Sequence, residues 1–227
     1  MRKWGILITV FYAVIVLGLL VPGAVFLYGD KSSSWREFFG GVRGVYLEWL
    51  SWIPIGIVLA GQALLLFLSV DASRKRLKPR AHILVSSSLT AMLLALLTFA
   101  ALFSLAAAIH GDKLDNSPFF NSEAKVLAMW AFLWLFWGIL FYLYFRNSTE
   151  LLTRAVSWLL KGSVLELLVA VPCHVIVRRR HDCSAPAATS FGIAAGIAVM
   201  LLSFGPSVLL LYKKRLDAYP TSGSATE

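Results

Sequence analysis

Long runs of apolar residues, separated by short polar segments, dominate the sequence. Five runs reach the ~20 residues that an α-helix needs to cross the ~30 Å hydrocarbon core of a bilayer. Lipid offers the backbone no hydrogen bonds, so each run is predicted to form a transmembrane helix. The chain is therefore expected to be an all-α, polytopic membrane protein with spans at about 4–28, 49–70, 83–109, 126–145 and 187–212.

The segment 147–186 fits no single pattern. Its first part begins with the helix-capping residues Asn147 and Ser148. A narrow polar face and a wide apolar face follow, which is typical of a helix that lies in the membrane interface. The polar face consists of Glu150, Arg154, Ser157 and Lys161.

The second part of that segment, 164–177, is apolar but only 14 residues long, and it contains Glu166 and Pro172. Residues 158–177 are therefore predicted to form a sixth membrane segment that spans the bilayer, re-enters it or lies on its surface. A spanning segment would place both termini on one side of the membrane. The other two alternatives leave five spans and place the termini on opposite sides.

Lysine and arginine lie in short runs beside the apolar blocks and predict the orientation. Met1–Lys3 contains two basic residues and the 71–82 loop contains five. By the positive-inside rule both segments face the cytoplasm, and the 29–48 and 110–125 loops face outward. The chain is predicted to lie in a bacterial-type inner membrane with a cytoplasmic N-terminus.

Reporter fusions test this orientation. A fusion after Ala81 should report a cytoplasmic position and a fusion after Asn116 an external one, because the third span separates the two loops. Alkaline phosphatase and green fluorescent protein form a suitable pair, since each is active on one side only. The reverse pattern would overturn the orientation and leave the spans unchanged.

Composition separates this chain from soluble proteins. Apolar residues make up 59% of it and charged residues 15%, whereas an ordinary soluble domain has about 45–50% and 25%. The net charge of +9 arises from runs that flank the spans, so nucleic acid is not an expected partner. The lipid bilayer is the expected partner, and other membrane subunits are a further candidate. Residues 1–216 are predicted to form one helical domain, and 217–227 a disordered tail.

A dense polar cluster lies at a predicted membrane boundary. Thiolate and imidazole are the usual zinc ligands, which makes Cys173, His174, His181 and Cys183 candidate metal ligands. Their spacing matches no common zinc motif, and the adjacent arginines would repel a cation. The alternatives are a reactive-thiol site, a site for an anionic substrate or lipid headgroup, and a basic anchor without chemistry. The whole cluster comprises Cys173, His174, Arg178, Arg179, Arg180, His181, Asp182 and Cys183.

Glu166 is the acidic residue expected at membrane depth, where a carboxylate is a candidate functional group. The alternative is an interfacial position in which Glu166 pairs with Lys161 or the arginine triplet. Gly192 and Gly196 form a GxxxG pair in the last span. Small residues at this spacing predict close packing of another helix, within the chain or in a partner.

The fourth span is rich in aromatic residues, and Trp130, Trp134 and Trp137 share one helical face. This face predicts either a stacking wall for a ligand or packing within the bundle.

Three classes of function remain open. The first is a non-catalytic subunit, anchor or assembly component of a membrane complex, which the absence of a catalytic motif favours. The second is a small membrane enzyme or redox protein that uses the cluster at 173–183. The third is a transporter, for which the nearly uncharged first four spans offer no substrate path. Neither a cofactor nor an enzymatic reaction is assigned by the sequence.

Overall fold

The computed structural model describes residues 2–29, 34–71, 80–114, 122–145, 151–183 and 185–218, which form helices and turns without a strand. The all-α prediction is therefore confirmed. Within these residues, six helical stretches are long and apolar enough to cross a membrane. The helices are α1 (Arg2–Ile15), α2 (Val21–Tyr28), α3 (Trp35–Leu47), α4 (Trp52–Asp71), α5 (Arg80–His110), α6 (Glu123–Phe145), α7 (Leu151–Arg179) and α8 (Ala185–Ala218). Of the predicted tail, 219–227 lie outside the described residues.

The first span consists of α1, a five-residue π-helical turn at Val16–Leu20, and α2. Pro22 follows the turn and has no N–H, so the regular hydrogen-bond ladder cannot continue through it. In the turn the hydrogen bonds run from residue i to residue i−5 and not to i−4. The Val21 N–H accordingly donates to the Val16 carbonyl. The Leu17 carbonyl, released from its usual donor, accepts from the hydroxyl of Tyr46. Burial raises the pKa of the Tyr46 phenol, which keeps this group a donor.

The segment 29–48, predicted to be a loop, contains helix α3. A capping box starts this helix: the Ser34 hydroxyl accepts from the Glu37 N–H at 3.4 Å, and the Glu37 carboxylate accepts from the Ser34 N–H at 3.1 Å. None of the described residues of α3 is buried, and its exposed apolar side chains include Trp35 and Phe39. An amphipathic helix of this kind suits the membrane surface.

The ambiguous segment forms one continuous helix, α7, of 29 residues. At 1.5 Å per residue it is about 44 Å long, which exceeds the ~30 Å hydrocarbon core. At one end, the Arg154 guanidinium lies 5.9 Å from the centre of the Tyr144 ring at the end of α6. At the other end, Arg178 donates to the carbonyls of Leu27 and Gly29. These two contacts define the Arg154 end and the Arg178 end of the bundle, and α7 runs between them.

Helices α5 and α8 lie at the centre of the bundle, and α7 packs against both. The first span and α4 cover a second side, where the Tyr12 hydroxyl donates to the Ala198 carbonyl of α8 at 2.7 Å. The main core is a continuous apolar cluster around Leu65, Leu93, Leu97, Leu159, Val199 and Leu202, all 2% exposed or less.

Helix α6 lies at the edge of the bundle, and its tryptophans attach it to α5. The Trp134 indole donates to the Ser88 carbonyl at 3.2 Å, and the Trp137 indole donates to the Thr98 hydroxyl at 3.1 Å. Trp130 stacks on Trp134 with ring centres 6.1 Å apart. The tryptophan face is therefore occupied by packing within the bundle, not open to a ligand.

Candidate functional site

Glu166 lies on the buried stripe of α7. Buried residues recur along this helix at alternating spacings of four and three, the pattern by which packed helices interdigitate. From Leu159 onward they are Leu159, Ser163, Glu166, Ala170, Cys173 and Val177. Ser163, Ala170 and Cys173 are small, which brings α7 close to its neighbours. The stripe places Glu166 about 18 Å along the helix from Arg178, near the middle of a ~30 Å hydrocarbon core.

Two glycines of α8 make room for the Glu166 carboxylate. A Cβ atom on Gly196 would overlap Oε2 of Glu166 and lie 2.8 Å from Cγ of Leu167. A Cβ atom on Gly192 would lie 3.0 Å from Oε1 of Glu166 and overlap the hydroxyl oxygen of Ser104 on α5. The GxxxG pair therefore faces α7 and α5 within the chain, and Ser104 lies beside the carboxylate.

The Glu166 side chain is 2% exposed, and neither carboxylate oxygen has a hydrogen-bond partner among the described residues. The buried Ser104 hydroxyl has none in the same part of the chain. Lys161 is exposed on the other side of α7, and Arg178 and Arg180 donate to backbone carbonyls at the Arg178 end. The interfacial ion pair considered for Glu166 is thus not formed.

The first residues of the 173–183 cluster face the core. Cys173 is buried among Ala107, Ala188 and other small residues. The ring of His174 lies 2.8 Å from the hydroxyl oxygen of Thr189 on α8, measured from Nδ1. The Thr189 hydroxyl is also 3.2 Å from the Pro186 carbonyl. His174 thus takes part in the contact between α7 and α8.

The remaining residues of the cluster close the Arg178 end of the bundle. Arg180 donates to the Ala108 carbonyl at the end of α5, at 2.6 Å. His181 has a left-handed backbone with φ of 58°. The N–H groups of His181 and Asp182 donate to the carbonyls of Arg178 and Val177, which is the Schellman arrangement that ends a helix. The cluster therefore satisfies the exposed carbonyls of three helix ends.

Asp182 lies against Gly111, the residue that follows the end of α5. Gly111 has a φ of +57°, and a Cβ atom there would lie 3.1 Å from the Asp182 carboxylate. Glycine suits this position because it adopts the left-handed conformation without strain and leaves room for the carboxylate.

The metal hypothesis finds no support in this geometry. Among the residues that the structure describes, no three His, Cys, Asp or Glu side chains lie close enough to hold one metal ion. Cys173 is buried, Cys183 is exposed, and the two thiols are not bridged. A four-ligand site of Cys173, His174, His181 and Cys183 stays a prediction from the sequence.

Two site residues were not anticipated from the sequence, Ser104 beside Glu166 and Thr189 beside His174. Both lie in apolar spans in which serine and threonine commonly bond the carbonyls of their own helix. Ser104 is 62 residues from Glu166 along the chain, and Thr189 is 15 residues from His174. The local sequence pattern therefore predicts neither contact.

The part of the chain that the structure describes contains six helices of membrane length and a buried carboxylate. This architecture is that of a polytopic helical membrane protein. Comparison with protein-family models, with curated proteins and with solved structures gives no match.

Proposed function

We propose that the chain is a non-catalytic component of the membrane whose working group is the Glu166 carboxylate, a site that binds and releases a proton. The observation that carries this proposal is a 2% exposed carboxyl group without a hydrogen-bond partner among the described residues. A buried ionised carboxylate without a counter-ion costs several kcal/mol. Ionisable groups at this depth are rare and are generally retained for function.

The surroundings of Glu166 suit a proton better than a metal cation. Hard cations take about six to eight oxygen ligands, whereas a proton needs one lone pair. The residues found near the carboxylate are Ser104, which has one hydroxyl oxygen, and Gly192, Gly196 and Leu167, which add no side-chain oxygen.

The enzymatic alternative relies on the 173–183 cluster. Arg178 and Arg180 bond helix-end carbonyls, and His174 contacts Thr189. Side chains that are engaged in contacts between helices are poor candidates for catalytic groups. We therefore favour the non-catalytic class. We also propose the orientation that the loop charges predict, with the N-terminus and the Arg154 end of the bundle in the cytoplasm.

Glu166→Gln tests the proposal, with Glu48→Gln as the matched control at an exposed glutamate. Glutamine keeps the size and polarity of the side chain and cannot titrate, so the variant should stay folded. In pH-difference infrared spectra, the parent and E48Q should show the carbonyl stretch of a titrating buried carboxyl group. That band should be absent from E166Q. A band of equal intensity in monodisperse E166Q would refute a proton site at Glu166.

A further inference from the structure

A cavity of about 480 Å³ lies between the first span, α4 and α8, away from Glu166. This volume is within the range of ~300–1,000 Å³ that is typical of small-molecule sites. The walls come from the π turn and α2, from the start of α4 and from the first half of α8. They include Val16, Leu20, Val25, Val58, Phe191 and Ala194.

The cavity exists because small side chains face it from α8. Four of the six α8 residues in that wall are alanines, Ala187, Ala194, Ala195 and Ala198. The opposite wall follows the π turn at Val16–Leu20, a feature that is frequent at functional sites. An apolar occupant would stabilise the protein here, because it would make van der Waals contacts with the apolar walls.

The depth of the cavity matches one leaflet of a bilayer. Its wall on the first span extends from Val16 to Tyr28, twelve residues apart, which is about 18 Å of helix. Half of the ~30 Å hydrocarbon core is about 15 Å. The deep part is apolar, and the one hydroxyl on its α8 wall, Ser190, donates to the Ala187 carbonyl at 3.0 Å. A polar ligand would find little to bond in the deep part.

Three polar side chains line the cavity. Tyr28 lies at the end of α2, whereas Glu48 and Ser51 lie at the junction of α3 with α4. The side chain of Glu48 is exposed and marks an opening of the cavity. A carboxylate at the opening repels an anionic head and favours one that carries an ammonium or hydroxyl donor.

From the cavity and its opening, we propose that the protein binds one acyl chain of a zwitterionic phospholipid. The chain occupies the space between the first span, α4 and α8. The ammonium-bearing head lies beside Glu48 and Ser51. This site is independent of the proton site at Glu166.

Photo-crosslinking in nanodiscs tests the lipid site. The probe is a phosphatidylethanolamine with a diazirine on its acyl chain and an alkyne tag, and a phosphatidylglycerol with the same chain is the comparison. Adducts should map by mass spectrometry to peptides covering 16–28 and 187–198. The ethanolamine probe should label about fivefold more than the glycerol probe, because one interfacial charge distinguishes them. Glu48→Gln should remove that preference.

Cavity-filling variants distinguish this site from annular lipid. Ala24→Phe and Ala194→Phe fill it from opposite walls, so one informative variant suffices if the other does not fold. Ala60→Phe makes the same change at an exposed position of α4 and is the matched control. Labelling of 16–28 and 187–198 should be lost in the filled variants and kept in A60F. Labelling spread over all exposed helix faces, absent from the parent, or equal in a folded filled variant would overturn the proposal.

Discussion

Replacing Gly196 by leucine is expected to prevent the bundle from assembling. A Cβ atom at this position already overlaps a carboxylate oxygen of Glu166 and meets Leu167, so a larger side chain must separate α8 from α7. Overpacking a core generally costs about 1–3 kcal/mol, and at this site both Glu166 and Leu167 would have to move. The expected loss is therefore about 3 kcal/mol or more, seen as aggregation or a lower melting temperature in detergent. Gly192→Leu should have a similar effect through Ser104 and Ala170.

Gly56→Leu is the matched control for this experiment. Gly56 lies on an exposed face of α4, and a Cβ atom there meets nothing within 4 Å. Removing a glycine from a helix interior is worth up to about 1 kcal/mol of intrinsic helix stability, so G56L should be as stable as the parent or slightly more so. Equal melting temperatures for G196L, G192L and the parent would contradict the close approach of α7 and α8.

Cys183 is expected to react completely with a membrane-impermeant maleimide in intact cells, without prior reduction, whereas Cys173 should not react. The two thiols are unbridged, Cys183 is exposed and Cys173 is 5% exposed. Because α7 runs through the bundle, Cys183 lies at the Arg178 end, opposite the end where Arg154 lies. With the orientation predicted from loop charges, that end faces outward.

Two serine variants assign the labelled thiol. Cys183→Ser should abolish labelling and Cys173→Ser should leave it unchanged, with detergent-solubilised protein as the measure of total reactive thiol. Labelling only after lysis would show that the Arg178 end faces the cytoplasm. Labelling only after reduction would indicate a disulfide, which the arrangement of a buried and an exposed thiol does not anticipate.

In the orientation predicted from the loop charges the arginine triplet faces outward, against the positive-inside rule, and its contacts supply a physical reason for this position. Arg178 bonds the Leu27 and Gly29 carbonyls at the end of α2, and Arg180 bonds the Ala108 carbonyl near the end of α5. Carbonyls at helix ends carry partial negative charge and have no partner within their own helix. These arginines therefore stabilise two helix ends, whichever side they face.

The sequence by itself determined the all-α class and five of the spans, since each follows from the length of one apolar run. The sequence also contains the amphipathic pattern that is typical of α3. After the cap at Ser34, aromatic residues recur at helical spacing: Trp35, Phe38, Phe39 and Tyr46. The length of apolar runs does not predict this helix, because a short amphipathic helix contains no long apolar run.

Only the tertiary structure decided the sixth span and the site. Residues 158–177 have an apolar run that is short and contains Glu166, and by composition alone such a segment can cross the bilayer or lie on it. Packing against Gly192, Gly196 and Ser104 makes this segment part of the helical bundle, because these contacts bury the carboxylate between helices. The partners come from α5 and α8, dozens of residues away along the chain. No local pattern of apolar and polar positions records which helix faces meet.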